Sequence, residues 1–138
     1  MLDFMRLFPS DLAARAVSAK LYETVRNLPI LSPHGHTDPA WFAKDEAFPN
    51  PTGLFIQPDH YIFRMLYSQG VSLESLGIPQ TGPQADPKLP AVDPREVWRI
   101  FAKNYYLFRG TPTRLWFDYS LSENFGLKER LSPKNADE

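Results

Sequence analysis

The chain has 138 residues, 43% of them hydrophobic, and a net charge of −1, so it is long enough for one modest domain with a core. Its aromatic content of 14% excludes a disordered tail. Lysine and arginine are scattered, so we expect neither a nucleic-acid-binding stripe nor a membrane-surface patch. The absence of cysteine excludes a disulfide scaffold and a thiolate metal site, and fits a cytoplasmic protein. There is no signal-peptide pattern and no apolar run near the roughly 18 residues of a membrane span.

The first predicted element is a helix over 11–27, capped by Ser10 or Asp11 and ended by Pro29. Its apolar face is moderate, which indicates packing on something larger. Ile30 and Leu31 then predict a brief strand at about 30–32, whose neighbours must come from elsewhere in the fold.

Two histidines follow this predicted strand. In extended chain, residues i and i+2 point to the same side, so His34 and His36 would project together, and Gly35 leaves room for a ligand. Two neutral imidazoles on one face make half of a zinc site. The alternative is a turn with two exposed histidines.

Prolines divide residues 38–57 into loops with one helical turn near 40–44. A clearer helix begins after Asp59, runs over 60–69 with Ile62, Met65 and Leu66 on its apolar side, and ends at Gly70. Ser72 caps a short helical piece that stops at Gly77.

The second half begins with a flexible, proline-rich surface loop over 78–92. Residues 93–96 (DPRE) have the form of a capping box, and the helix over 94–108 carries an apolar stripe from Val97 to Phe108. Thr113 is the expected cap of a further helix over 114–125. Ser132-Pro133 predicts another helix start close to Glu138, from which we expect a truncated chain.

A second cluster of polar side chains begins the helix after Asp59. His60 and Arg64 are four residues apart and share a face, and Tyr61 lies about 100 degrees round the helix from His60. Imidazole, phenol and guanidinium together suit an anionic, hydroxyl-rich ligand, because arginine binds carboxylate and the other two move protons or bind hydroxyls. The alternative is a solvated polar face of an amphipathic helix.

The remaining candidates favour structural roles. Arg109 sits at a predicted helix C-terminus, where a cation is favourable for dipole reasons alone. Five aromatic residues predict a core or a domain interface rather than a stacking platform for bases: Trp98, Tyr105, Tyr106, Trp116 and Phe117. No phosphate loop, nucleophile elbow or dinucleotide fingerprint is present.

Four segments together resemble the uronate isomerase (glucuronate isomerase) family of the amidohydrolase superfamily. They are residues 28–36 (LPILSPHGH), 59–71 (DHYIFRMLYSQGV), 93–96 (DPRE) and 105–112 (YYLFRGTP). The HxH pair alone is a superfamily signal, whereas the Asp-His-Tyr segment at this distance behind it is specific to the isomerases. The similarity covers nearly the whole chain, in the family's order.

The resemblance implies a mainly α chain that forms the N-terminal portion of a metal-dependent-hydrolase-like (β/α)8 TIM barrel with helical additions. The HxH pair would end the first barrel strand, where barrel enzymes place their chemistry. The implied reaction is aldose–ketose isomerisation of a hexuronate, from D-glucuronate to D-fructuronate or from D-galacturonate to D-tagaturonate.

The resemblance also assigns residues. His34 and His36 match a metal pair, usually of zinc; His60 and Tyr61 match residues of the sugar site with catalytic and substrate-binding roles; Arg64 is a substrate-binding candidate. The remaining ligands and the catalytic aspartate are expected beyond residue 138, so this chain alone should be inactive and should bind zinc weakly or not at all. We also expect a homo-oligomer, through the faces that hold Ile30, Leu31, Phe101, Tyr105 and Trp116.

Two other functions stay open from sequence. The chain could be a helical interaction module without chemistry, or part of an amidohydrolase-type metal hydrolase that uses the same HxH pair. The Asp-His-Tyr segment counts against the hydrolase.

Overall fold

The computed structural model describes residues 2–32, 35, 37–79 and 91–138. It contains five α-helices: α1 (Leu12–Val25), α2 (Pro39–Lys44), α3 (His60–Ser68), α4 (Pro94–Asn104) and α5 (Pro112–Glu123). Short 3-10 turns cover Phe4–Leu7, Glu74–Leu76 and Tyr105–Phe108, and a π-helical turn covers Thr52–Ile56. The mainly helical prediction is confirmed, and the described residues contain no strand. Within them, no helix has the length and apolar character needed to cross a membrane.

The chain divides into two units, residues 1–35 and 36–138. In the first unit Asp11 caps α1 as predicted, accepting a hydrogen bond of 2.8 Å from the Ala14 amide. The helix ends at Val25, before the bend that Pro29 would impose. It buries no residue, and Leu12 stays 81% exposed. The apolar face of α1 is therefore not buried within this unit, which agrees with its moderate apolar pattern.

The strand predicted at 30–32 does not form in this chain. Ile30 and Leu31 are 93% and 89% exposed, and no described segment pairs with them. A strand depends on a neighbour for its hydrogen bonds, so two aliphatic residues without one remain irregular.

The segment between Asp38 and Gln57, which was predicted as loops, contains more regular structure than expected. Asp38 caps α2 through the Ala40 amide at 2.9 Å, which confirms the helical turn near 40–44. The prediction missed the π-helical turn, in which Thr52, Phe55 and Ile56 are buried. Its packing on α4 orders a stretch that its prolines and glycine leave weakly helical.

Acidic and hydroxyl caps also begin the other three α-helices of the second unit, α3, α4 and α5. Asp59 and Asp93 accept from the amides two residues ahead, each at 2.9 Å. Glu96 does not complete the predicted capping box, because its carboxylate accepts from Arg99. The cap of α5 is Thr111 rather than the predicted Thr113, since Pro112 occupies the first helical position.

The helix predicted over 94–108 is divided. The α-helix stops at Asn104, and the turn Tyr105–Phe108 tightens to 3-10 geometry before Gly110, whose φ of 77° allows the exit. The final predicted helix start, at Ser132-Pro133, is also wrong for this chain. There the Ser132 amide donates to the buried Asn135 side chain at 2.8 Å and a turn results.

The core of the second unit is aromatic. Phe55 lies between the rings of Phe117 and Phe125, with centroids 5.2 and 5.7 Å away, and Phe101 packs on Phe117 at 5.1 Å. Aliphatic side chains from several elements complete it: Ile56, Ile62, Leu66, Leu76, Ile78, Val97, Leu121 and Leu131. Ile78 and Val92, at the ends of the predicted loop, also pack on this core, while residues 80–90 lie outside the described residues.

Burial corrects one prediction about aromatic faces. Phe101 and Tyr105 are 0% and 1% exposed, so they cannot serve an oligomer surface as predicted. Tyr106 and Trp116 are 64% and 53% exposed, so of the two predicted roles, core or domain interface, only the interface remains for them. The spacing of apolar residues does not show which side of a strongly aromatic helix is buried in the folded protein.

Candidate active site

The first turn of α3 carries the predicted sugar-site residues. Asp59 fixes the start of the helix through the Tyr61 amide, so the side chains of His60 and Tyr61 leave from a defined backbone. Their rings lie side by side, with centroids 4.3 Å apart and planes inclined by 33°. Their positions on the helix are about 100 degrees apart, as predicted from the sequence. Their rings nevertheless approach each other at the ends of the two side chains.

The opposite side of α3 holds this turn in place. Ile62 and Leu66 are buried in the core, whereas Tyr61 is 64% exposed and Arg64 is also exposed. An anchored helix with an imidazole, a phenol and a guanidinium on its outer side can receive a polar ligand from solvent. Arg64 follows His60 by one helical turn, as the sequence predicts.

The predicted metal pair lies outside the described residues, as His34 and His36 both do. The described residues hold no group of three or more His, Cys, Asp or Glu side chains that could bind a metal ion. The described part of the chain therefore does not provide a metal site by itself, and the zinc assignment stays a prediction.

A polar cluster surrounds Tyr105 and was not predicted from the sequence. Its buried phenol donates to Asp118 Oδ1 at 2.9 Å, and the Arg114 guanidinium lies 3.7 Å from the ring centroid. Arg114 Nη1 donates to the Tyr105 carbonyl at 2.8 Å, and Arg130 Nε donates to Asp118 Oδ2 at 3.1 Å. One carboxylate thus joins a phenol and two guanidinium groups.

The cluster shifts the acidity of its phenol. Burial and the hydrogen bond to the Asp118 carboxylate raise the pKa of Tyr105 well above its ordinary value of 10.0. A neutral phenol that donates to a carboxylate stabilises structure and is a poor proton donor to a ligand near neutral pH. The i,i+4 spacing of Arg114 and Asp118 was a visible signal, but the contacts with Tyr105 and Arg130 depend on the fold.

Comparison with known proteins identifies the kind of chain. The family model of glucuronate isomerase matches residues 5–138, which is nearly the whole sequence. The match places the chain among the isomerases as a class. More particularly, the chain belongs to the glucuronate isomerase family.

Curated relatives agree with this assignment. The chain is 54% identical over 132 residues to uronate isomerase of Brucella canis and 56% identical over 132 residues to uronate isomerase of Sphingopyxis alaskensis. Each alignment covers 96% of this chain, but only 28% and 26% of the relatives. The chain therefore spans little more than a quarter of the length of the curated relatives it matches.

A solved structure shows the same arrangement. The crystal structure of glucuronate isomerase from Caulobacter crescentus matches with a TM-score of 0.86 and 50% sequence identity. That match covers 99% of this chain and 28% of the other. The fold of this chain is thus similar to that of part of a longer glucuronate isomerase chain.

Proposed function

We propose that the full-length protein interconverts an aldose and a ketose hexuronate, D-glucuronate with D-fructuronate or D-galacturonate with D-tagaturonate. The family match and the names of the relatives support this, and they favour isomerisation over the hydrolase alternative. The single observation in the structure that carries the proposal is the outer side of α3, where His60, Tyr61 and Arg64 lie on a helix anchored by the core.

Each of these side chains has a role that its chemistry suits. Arg64 would bind the uronate carboxylate, because a guanidinium makes two parallel hydrogen bonds to it. His60 and Tyr61 would bind sugar hydroxyls and assist transfer of a proton between C1 and C2 through an enediol. The closely spaced rings would keep both groups near the same part of the sugar.

We propose further that the full-length protein forms a (β/α)8 barrel in the cytoplasm. The resemblance of its sequence supports the barrel, and the absence of cysteine is compatible with the reducing compartment. Catalytic zinc takes about three protein ligands, so the metal would need at least one ligand besides His34 and His36. This chain alone should then turn over no uronate.

The function is tested by a matched pair of tyrosine variants in the full-length protein. Tyr61→Phe should lower kcat for D-glucuronate by about 100-fold, the usual minimum effect of losing an acid–base group. Tyr67→Phe is the control, since Tyr67 is 58% exposed and lies on the same helix. Both variants should fold normally, because neither phenol is buried.

Wild-type turnover in Tyr61→Phe would remove the catalytic role of this residue. Absence of uronate turnover in the unmodified full-length protein would overturn the proposed function itself.

A further inference from the structure

A surface cleft of about 380 Å³ lies beside the polar cluster of Tyr105. The end of α4, the start of α5 and residues 130–133 form its walls. Four cationic side chains and one carboxylate are among its lining residues: Lys103, Arg109, Arg114, Arg130 and Asp118. The walls therefore carry an excess of three positive charges in a chain whose net charge is −1.

The Arg114 side chain beside this cleft is ordered before any ligand binds. Its side chain is 15% exposed, and three contacts fix its guanidinium: Asp118, the Tyr105 carbonyl and the face of the Tyr105 ring. These contacts occupy Nε and one N–H of Nη1, so three of the five guanidinium N–H groups have no acceptor among the described residues and can donate to a ligand. Because the Arg114 side chain is already ordered, it loses little additional conformational entropy when a ligand binds.

Two of the other cations, Lys103 and Arg109, have no ion-pair partner in the described part of the chain, whereas Arg130 pairs with Asp118. No described carboxylate lies within 4.0 Å of Lys103 or Arg109, and Arg130 shares Asp118 with Arg114 while its side chain stays 69% exposed. Like charges around one cleft repel each other, so an anion between them relieves that repulsion.

We propose that this cleft binds a small phosphate-bearing molecule, with Arg114 as the fixed donor and Arg109, Lys103 and Arg130 closing around the anion. Phosphate offers three acceptor oxygens and about two negative charges, which match the charge excess better than the single charge of a carboxylate. The cleft is compact and its cations do not form a stripe, so a small ligand suits it better than a nucleic acid. This site involves none of the residues of the proposed sugar site.

Inorganic phosphate is the probe for the first measurement on this chain. Titration followed by amide chemical shifts should give saturable changes at Arg109, Arg114 and Arg130, and not at the start of α3. Arg109→Ala should weaken phosphate binding by about tenfold, as expected for one charge-assisted hydrogen bond. Arg95→Ala is the matched control, since it removes the same charge from another exposed arginine that does not line the cleft.

Equal weakening by the two variants would show only non-specific attraction and would overturn the proposal. So would shifts spread over the whole surface, or an absence of saturation. A parallel titration with D-glucuronate distinguishes the anions: binding tighter than that of phosphate would overturn the phosphate assignment. Because the site shares no residue with α3, its failure would leave the uronate turnover test unaffected.

Discussion

Tyr105 connects the core to the polar surface. Its ring contacts Phe101, with 5.4 Å between centroids, while its hydroxyl reaches Asp118. The side chain of Asp118 is 17% exposed and also accepts hydrogen bonds from Arg114 and Arg130. Both of its carboxylate oxygens therefore have a donor. Removal of one partner here leaves the others poorly satisfied, which costs more than loss of an exposed ion pair.

Tyr105→Phe should change how stability depends on pH. In the folded chain the raised pKa keeps the phenol protonated, whereas in the unfolded chain it ionises near its ordinary value of 10.0. The stabilisation is therefore complete below pH 10 and declines as the pH rises above it. Urea unfolding of the wild type should show this decline, and Tyr105→Phe should reduce it while lowering the free energy of unfolding at pH 8 by about 1 kcal/mol.

Tyr106→Phe is the control for this experiment, because Tyr106 is 64% exposed. It should keep the alkaline decline of the wild type. An unchanged decline in Tyr105→Phe would mean that other groups cause it.

Single residues were predicted well where the signal was local. Asp11, Asp59 and Asp93 cap their helices because a short acidic side chain reaches an amide two or three residues ahead. The Tyr105–Asp118 contact spans 13 residues and two elements, so no local pattern marks it. The pair His34 and His36 remains a prediction.

Among the elements, the turn Glu74–Leu76 depends on a glycine. Gly77 has φ of 67°, and a Cβ there would lie 2.8 Å from Gln57 Nε2 and 3.2 Å from Val92 Cγ2. Gln57 Nε2 also donates to the Leu76 carbonyl at 3.3 Å. Gly77 thus serves both the left-handed backbone and the close approach of two neighbouring segments.

Gly77→Ala should destabilise more than Gly70→Ala. Both glycines have positive φ, so each substitution costs about 1 kcal/mol in backbone strain. A Cβ at Gly70 meets nothing within 4 Å, whereas at Gly77 it also displaces Gln57. Thermal and urea unfolding of the two variants measure the difference, and equal destabilisation would show that the Gln57 contact adds nothing.

Sequence patterns failed for elements that depend on tertiary partners. The strand at 30–32 requires a paired neighbour, and none of the described segments supplies one. The π-helical turn Thr52–Ile56 forms where packing on α4 compensates for weak local propensity. Helices α3 and α4 were predictable because their apolar spacing agrees with their caps, Asp59 and Asp93.

At the scale of the whole molecule, exposed apolar side chains predict self-association. Ile30, Leu31 and Phe42 are 93%, 89% and 79% exposed, which are unusual values for large apolar groups. We expect sedimentation velocity to show a species larger than a monomer as concentration rises, still present in high salt. The double change Ile30→Ser with Leu31→Ser should weaken it, while a concentration-independent monomer would contradict the prediction.

The packing of residues 52–56 on α4 affects the rate of folding. Buried Thr52 donates to the Pro94 carbonyl at 2.5 Å across 42 positions of sequence, so Phe55 reaches its partners Trp98 and Phe117 only after a long loop has closed. The entropy of closing such a loop grows slowly with its length, but it must be lost before any contact compensates for it. Although nearly all its regular structure is helical, the second unit should therefore fold more slowly than a bundle whose contacts are mostly local.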